Sequence, residues 1–476
     1  MITFLLTLWL ASLAAIPSPP PAVVGQTPET PKGQIVERLA CSVDPIQTYA
    51  LYLPANYSSE KKWPVLYAFD PGARGKIPAE RFREAAEKYG WNIVASNNSR
   101  NGPMQPSIDA WNAIVKDTHA RFAIDDDRVY VAGMSGAARL AIYLASRCRD
   151  CAAGVIACSA GFPEGVTPSA AWHFALFGTA GIDDFNFAEV RATEEPLTKA
   201  GVAHRTEVFA GRHEWPPSSV MIEALEWMEL QSIKTGKRTP DANLIESSWQ
   251  RKLQQASTLE DSKQIYDAYR IYLALADTYK DLRNVAAAEQ KISQLRDNPN
   301  VKGAIRDEQQ QIRKQRELEN SIGALLAAQA QTTEDAANEG LGPETRLHGI
   351  FADLRMHATQ TEDTGERRVA RRVLEGTFIG LFEQGTSQLQ TQKHYAAAIQ
   401  TFTWATELNP DRAGPFFYLA WAYAAKGDRK PALRALQTAV DKGFSDLSAI
   451  TGNKVFDLVR DDAQYQQIIR TVGSKH

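Results

Sequence analysis

Arg128-Val-Tyr-Val-Ala-Gly-Met-Ser135-Gly-Ala-Ala-Arg-Leu-Ala-Ile-Tyr-Leu-Ala145 sets an apolar, β-branched run directly against an alanine-rich run. The first half reads as a buried strand and the second as a helix, with Ser135 at the joint. A serine on so sharp a strand-to-helix turn stands out above the sheet, and small neighbours let the turn close. The turn also aims the helix N-terminus, with the N–H of Gly136, at any oxyanion formed beside Ser135. The stretch is a nucleophile elbow of G-x-S-x-G type, with Ala137 in place of the last glycine.

Outward from this stretch the grain of the chain is uniform. Strand-like runs at Tyr49–Leu53, Pro64–Phe69, Trp91–Ala95, Gly154–Ala157, Phe174–Phe177 and Thr206–Phe209 alternate with helical runs such as Pro78–Tyr89, Ile108–Phe122 and Ser218–Gln231. Such alternation predicts an α/β unit over about 34–236: a mostly parallel sheet with helices on both faces. No helix separates the two earliest strands, which predicts an antiparallel edge.

From about residue 241 the strands vanish, and Ala, Leu, Gln, Glu, Lys and Arg recur at helical spacing through 476. This half is expected to be all α. Ala398, Phe402 and Ala405 recur as Ala432, Leu436 and Ala439, each offset by about 34 positions, the spacing of a two-helix repeat. Pro410 closes one unit and Gly427 sits in a helix–helix turn. Residues 380–443 resemble the tetratricopeptide repeat, which implies a surface for a protein partner. The mixed-charge run Arg306–Glu319 is expected to be a solvated helix face.

At 476 residues, two or more cores are expected, and the formal net charge of −3 gives no case for nucleic acid as a partner. Residues 1–25 read as a signal peptide and Pro-rich linker: an apolar run ending near Ile16, then small residues offering cleavage near Ala15 or Gly25. The run is too short for stable membrane insertion, so a periplasmic or secreted location is expected. Cys41 and Cys158 read as buried residues in apolar strands, while Cys148 and Cys151 are close enough to be bridged. No second ligand pair stands at metal-binding spacing, so no metal is expected.

A serine hydroxyl attacks only when a base takes its proton, so Ser135 requires a histidine and a carboxylate. His213 lies in a short loop between a late strand and a terminal helix, where the base of such a sheet belongs. Asp183 and Asp184 follow the preceding strand. Asn186 and Glu189 have the spacing of a capping box for the next helix, which puts Asp184 just before the cap and makes it the preferred acid. The second oxyanion donor belongs to the loop Phe69-Asp-Pro-Gly-Ala-Arg-Gly75. Pro71 has no N–H, so Gly72 or Ala73 must supply it beside Gly136.

Asn98, Asn101 and Trp215 are candidates for substrate contact, with turn formation and packing as the alternatives. Only a short segment built around the twelve residues Gly161–Trp172 lies between the strand at 154–157 and the next, too few for a helical lid. The site is therefore expected to be open to a polar or bulky ester, or to a polymer end, unless the helical half covers it.

Tyr49-Ala-Leu-Tyr-Leu-Pro-Ala-Asn-Tyr57, Gly133-Met-Ser-Gly-Ala137, Asp184-Phe-Asn186 and His213-Glu-Trp-Pro216 together resemble secreted bacterial carboxylesterases of the α/β-hydrolase superfamily, near the polyhydroxybutyrate depolymerase and feruloyl esterase-like group. The resemblance implies ester hydrolysis through an acyl-enzyme without metal or organic cofactor. A peptidase of the same fold, or a repeat-based binding protein with an inert sheet half, are the readings that compete with it.

Overall fold

A computed structural model describes residues 30–331 and 342–474. The signal-peptide expectation falls on residues outside these. Eight strands form one sheet: β1 Ile35–Ala40, β2 Thr48–Tyr52, β3 Trp63–Phe69, β4 Asn92–Ser96, β5 Ile124–Met134, β6 Gly154–Cys158, β7 Ala175–Gly181 and β8 His204–Phe209. Their order is β1-β2-β4-β3-β5-β6-β7-β8. β2 is antiparallel to both β1 and β4, and every pairing from β4 to β8 is parallel.

The antiparallel edge is present, but it pairs β2 with β4 rather than with its sequence neighbour β3. β1 was not legible as a strand, because Ile35–Ala40 carries Glu37 and Arg38 at an exposed edge where no apolar run is needed. Cys41 follows that strand rather than lying inside one. It is buried and free, as is Cys158.

All seven residues of β3 are buried, as a parallel strand covered on both faces requires. Val65, Tyr67 and Phe69 join one core with Ile114, Ala141 and Leu176. Leu66 and Ala68 join the opposite core with Phe82, Met221 and Trp227. These cores are covered by α1 Lys76–Tyr89 and α6 Ser218–Lys234 on one face, and by α2 Met104–Arg121 and α3 Gly136–Arg147 on the other. Two short helices, α4 Phe187–Arg191 and α5 Glu194–Ala200, lie between β7 and β8. The sheet is that of an α/β-hydrolase fold.

The rest is helical: α7 Ala242–Asp261, α8 Ile265–Tyr279, α9 Ala286–Leu295, α10 Pro299–Gln331, α11 Pro343–Ala358, α12 Gly365–Thr386, α13 Tyr395–Leu408, α14 Ala413–Lys426, α15 Arg429–Asp441, α16 Leu447–Thr451 and α17 Ala463–Gly473. A π-helical turn, Ser387–Thr391, continues α12. The six residues offset by 34 are all buried in one core except Ala405, which is buried in the adjoining one. Gly427 ends α14 in the left-handed region at φ 96°, where a side chain would be strained.

The halves share a core, since Leu230 of α6 packs with Trp249 and Tyr272 of α7 and α8. The run Arg306–Glu319 is helical with a solvated face, as expected, and it carries a docked face as well. It forms the middle of α10, and Gln315 within it is 1% exposed. Gln315 Nε2 donates to Phe185 O at 2.7 Å, and Glu308 pairs with Arg191 at 2.7 Å. One face of this charged helix is therefore spent on the sheet half.

Candidate active site

Ser135 stands directly after β5 with φ 58° and ψ −127°, a left-handed value that a non-glycine residue holds only where the fold enforces it. Its own N–H donates to Cys158 O at 2.8 Å, which ties the elbow to the end of β6. α3 begins at the next residue. The side chain at 135 is thus presented at the C-terminal edge of the parallel strands, where ligands of such sheets bind.

Two loops from the same edge converge there. The loop after β7 carries Asp183 and Asp184, and the loop after β8 carries His213. They can touch because Gly181 lacks a side chain: a Cβ there would come within 2.4 Å of Arg212 O. Ile182 and Asp183 donate their N–H groups to Phe209 O and Gly211 O at 2.8 and 2.9 Å. His213 Nδ1 lies 2.8 Å from Asp184 Oδ1, and Asp184 is fully buried. Phe185 stacks on the imidazole with centroids 3.9 Å apart.

Asp183 points the other way and pairs with Arg371 of α12 at 2.9 Å. The capping box does not form. Asn186 Nδ2 donates to Ser159 O at 2.8 Å, while Glu189 accepts from Arg139 and from the N–H of Gly161. Asp184 instead holds its loop by accepting the N–H of Asn186 at 2.8 Å.

The loop after β3 is organised by a residue the sequence did not single out. Asp70 is fully buried, and its carboxylate accepts from Gly72 N (2.8 Å), Arg74 Nε (2.8 Å) and Trp215 Nε1 (2.9 Å). The signal was present, since Asp two residues before Gly is the pattern of an Asx turn. Ala73, at φ 60°, donates its N–H to Asp70 O at 3.1 Å. Both N–H groups expected to serve an oxyanion are therefore engaged within their own loop.

Two proposed substrate contacts are corrected. Asn98 accepts from Thr48 N at 2.8 Å and donates to Ile46 O at 3.0 Å, so its carboxamide is spent on fastening the β1–β2 connection. Trp215 is buried, packs edge-on to Phe82, and gives its only polar hydrogen to Asp70. It braces a loop rather than lining a pocket. Asn101 does reach the elbow. Its carboxamide fills the space over Gly136, where an added Cβ would lie 2.2 Å from Oδ1.

The helical half supplies contacts that no local pattern announced. Arg372 of α12 is fully buried; its Nε donates to Ile182 O at 2.8 Å, its Nη2 also donates to that oxygen, and its guanidinium lies 3.7 Å over the Phe187 ring. Burial pushes the Arg372 pKa down to about 10, against the opposing pull of Asp183, Glu308 and Asp184. Phe185 packs against Gly376, where an added Cβ would come within 3.1 Å of its own.

No family model matches the chain, and no curated protein sequence matches it. Solved structures similar to it include a ferulic acid esterase (20% identity, 41% of this chain and 97% of that one, TM-score 0.35). An S-formylglutathione hydrolase from Staphylococcus aureus is similar at 16% identity over 38% and 90%, with a TM-score of 0.32. An arylesterase is similar at 12% identity over 43% and 87%, with a TM-score of 0.34.

Proposed function

We propose that this chain is a serine hydrolase, a carboxylesterase that cleaves a polar or bulky ester through an acyl-enzyme. The observation that carries the reading is the 2.8 Å contact between His213 Nδ1 and buried Asp184, at the sheet edge where Ser135 occupies a left-handed elbow. Asp184 fixes the imidazole tautomer, so Nε2 is the atom that accepts a proton. Ser135 Oγ gives its proton to Nε2 and bonds to the ester carbonyl carbon. The carbonyl oxygen takes up the electron pair as an oxyanion, and the N–H of Gly136, at the start of α3, meets it. The oxyanion collapses, the C–O bond to the alcohol breaks, and the imidazolium protonates the departing oxygen. Water then repeats the sequence on the acyl-enzyme and frees the acid.

In the loop after β3 the N–H groups of Gly72 and Ala73 already serve Asp70. Labelling by a fluorophosphonate probe tests the assignment: wild type is expected to react and Ser135→Ala to remain unlabelled. Equal labelling of both proteins would remove Ser135 from the mechanism.

We read the protein as exported to the periplasm or secreted. Cys148 and Cys151, whose Cα atoms are 5.6 Å apart, are close enough to be bridged, and such bonds persist in oxidising compartments. Among the described residues no helix is long and apolar enough to cross a membrane. The hairpins of residues 380–443 are proposed to be tetratricopeptide-like and to offer a surface to a protein partner.

A further inference from the structure

We propose that Phe185 is a positioning residue for the hydrolysis and acts through His213. Its ring face stabilises the imidazolium that forms whenever the base takes a proton, and the helical half keeps it in place. This rests on the assignment of Ser135 and His213. Asp184 and Phe185 are successive residues of one loop, and they meet the same imidazole from two directions. Asp184 Oδ1 lies 2.8 Å from Nδ1 at the ring's edge. The Phe185 ring lies over its face, with centroids 3.9 Å apart and planes 28° from parallel.

That geometry suits a charged ring better than a neutral one. Neutral aromatic pairs prefer offset or edge-on arrangements with centroids about 4.5–7 Å apart, because the face of each ring is negative. This pair is closer and nearly parallel, as befits a cation held over a ring face within about 6 Å of its centroid. The charge arises only once Ser135 Oγ, or the water that follows it, has passed a proton to Nε2. The contact is therefore stronger in the transition state than in the ground state, which is the condition for accelerating the chemical step. The His213 side chain is only 16% exposed, so little water screens the charge.

The phenyl ring is wedged. A Cβ added at Gly376 would lie 3.1 Å from Phe185 Cβ and 3.6 Å from its Cγ, so the backbone of α12 stands directly behind it. Gln315 of α10, itself buried, fixes the main chain by donating from Nε2 to Phe185 O at 2.7 Å. Glycine inside a helix is destabilising relative to alanine, yet α12 carries one at the point where this approach requires it. A ring so held needs no reorganisation when the charge develops. The sheet half thus supplies the loop, and the helical half sets the distance at which the phenyl face meets the base.

The test follows the rate at which a fluorophosphonate labels the full chain, because attack by Ser135 on phosphorus also leaves a proton on His213. Pentafluorophenylalanine at position 185 keeps the outline of the ring and reverses the sign of its face. The limiting rate at saturating probe is expected to fall by about tenfold, with the half-saturating concentration unchanged. Phe185→Leu keeps apolar bulk and removes the face, and should slow the limiting rate by roughly fivefold. Gly376→Ala raises helix propensity while pressing on Phe185, so it should slow labelling by about threefold without lowering the urea midpoint. A fluorinated ring that leaves the limiting rate within about twofold of wild type overturns the role of Phe185 while the labelling of Ser135 persists. A wild type that does not label overturns the assignment of Ser135, and this role with it.

Discussion

The loop after β3 and the loop after β7 flank the same serine, and they are held by opposite strategies. The first is braced within its own half: Asp70 gathers Gly72, Arg74 and Trp215 around one buried carboxylate. The second, which carries Asp184, is braced from outside. Arg372 holds Ile182 O, Gln315 holds Phe185 O, Arg371 pairs with Asp183, and Phe185 lies between His213 and Gly376. The difference teaches that the helical half is not an appendage to a finished sheet. It completes the support of the proposed acid, Asp184, and, through Phe185, of the proposed base, His213.

The largest expected effect separates the two adjacent aspartates. Asp184→Asn should lower kcat by on the order of 10⁴, because the wrong imidazole tautomer is then favoured. Asp183→Asn should stay within a few fold, and steady-state kinetics that rank them equal would dissolve the distinction between their roles.

Next come the two braces. Asp70→Ala strands the buried Trp215 indole N–H, at a cost of about 1–3 kcal/mol, and should appear chiefly as a lower urea midpoint. Arg372→Met should appear chiefly in kcat, as a fall of about tenfold to a hundredfold from a displaced acid loop. If Arg372→Met moved the unfolding midpoint and left kcat alone, the external brace would be structural only. Trp215→Phe removes a single hydrogen bond to a buried carboxylate, so a loss of about 1.5–3 kcal/mol is expected by chemical denaturation. Arg371→Gln, which breaks a partly exposed ion pair, should cost about 1 kcal/mol or less by the same measurement.

The same contrast explains what the sequence made legible. The elbow, the strand–helix alternation and the positions of Asp184 and His213 are written in short runs, where periodicity and turn chemistry act over a few residues. Ala405 and its neighbours betrayed their helices in the same way. Asn98 and Trp215 were misread because residue type indicates what a side chain can bond, whereas the partner is set by tertiary packing. Asn98 met the backbone of the β1–β2 connection, and Trp215 met Asp70. The docking of Gln315 and Arg372 lay further from reach. Their helices carry ordinary mixed charge, and their partners stand more than a hundred residues away in sequence. The loop after β3 differs again: the N–H groups of Gly72 and Ala73 are engaged by Asp70, a partner that residue type alone does not announce.

Arg371 follows Asp183 by 188 residues. At a synthesis rate of about 5–20 residues per second, the loop that carries the acid leaves the ribosome roughly 10–40 s before the helix that supports it. The growing chain therefore holds Ser135, Asp184 and His213 well before it holds the frame that supports the loops of the last two. A protein truncated before α12 would carry every proposed triad residue yet lack that frame.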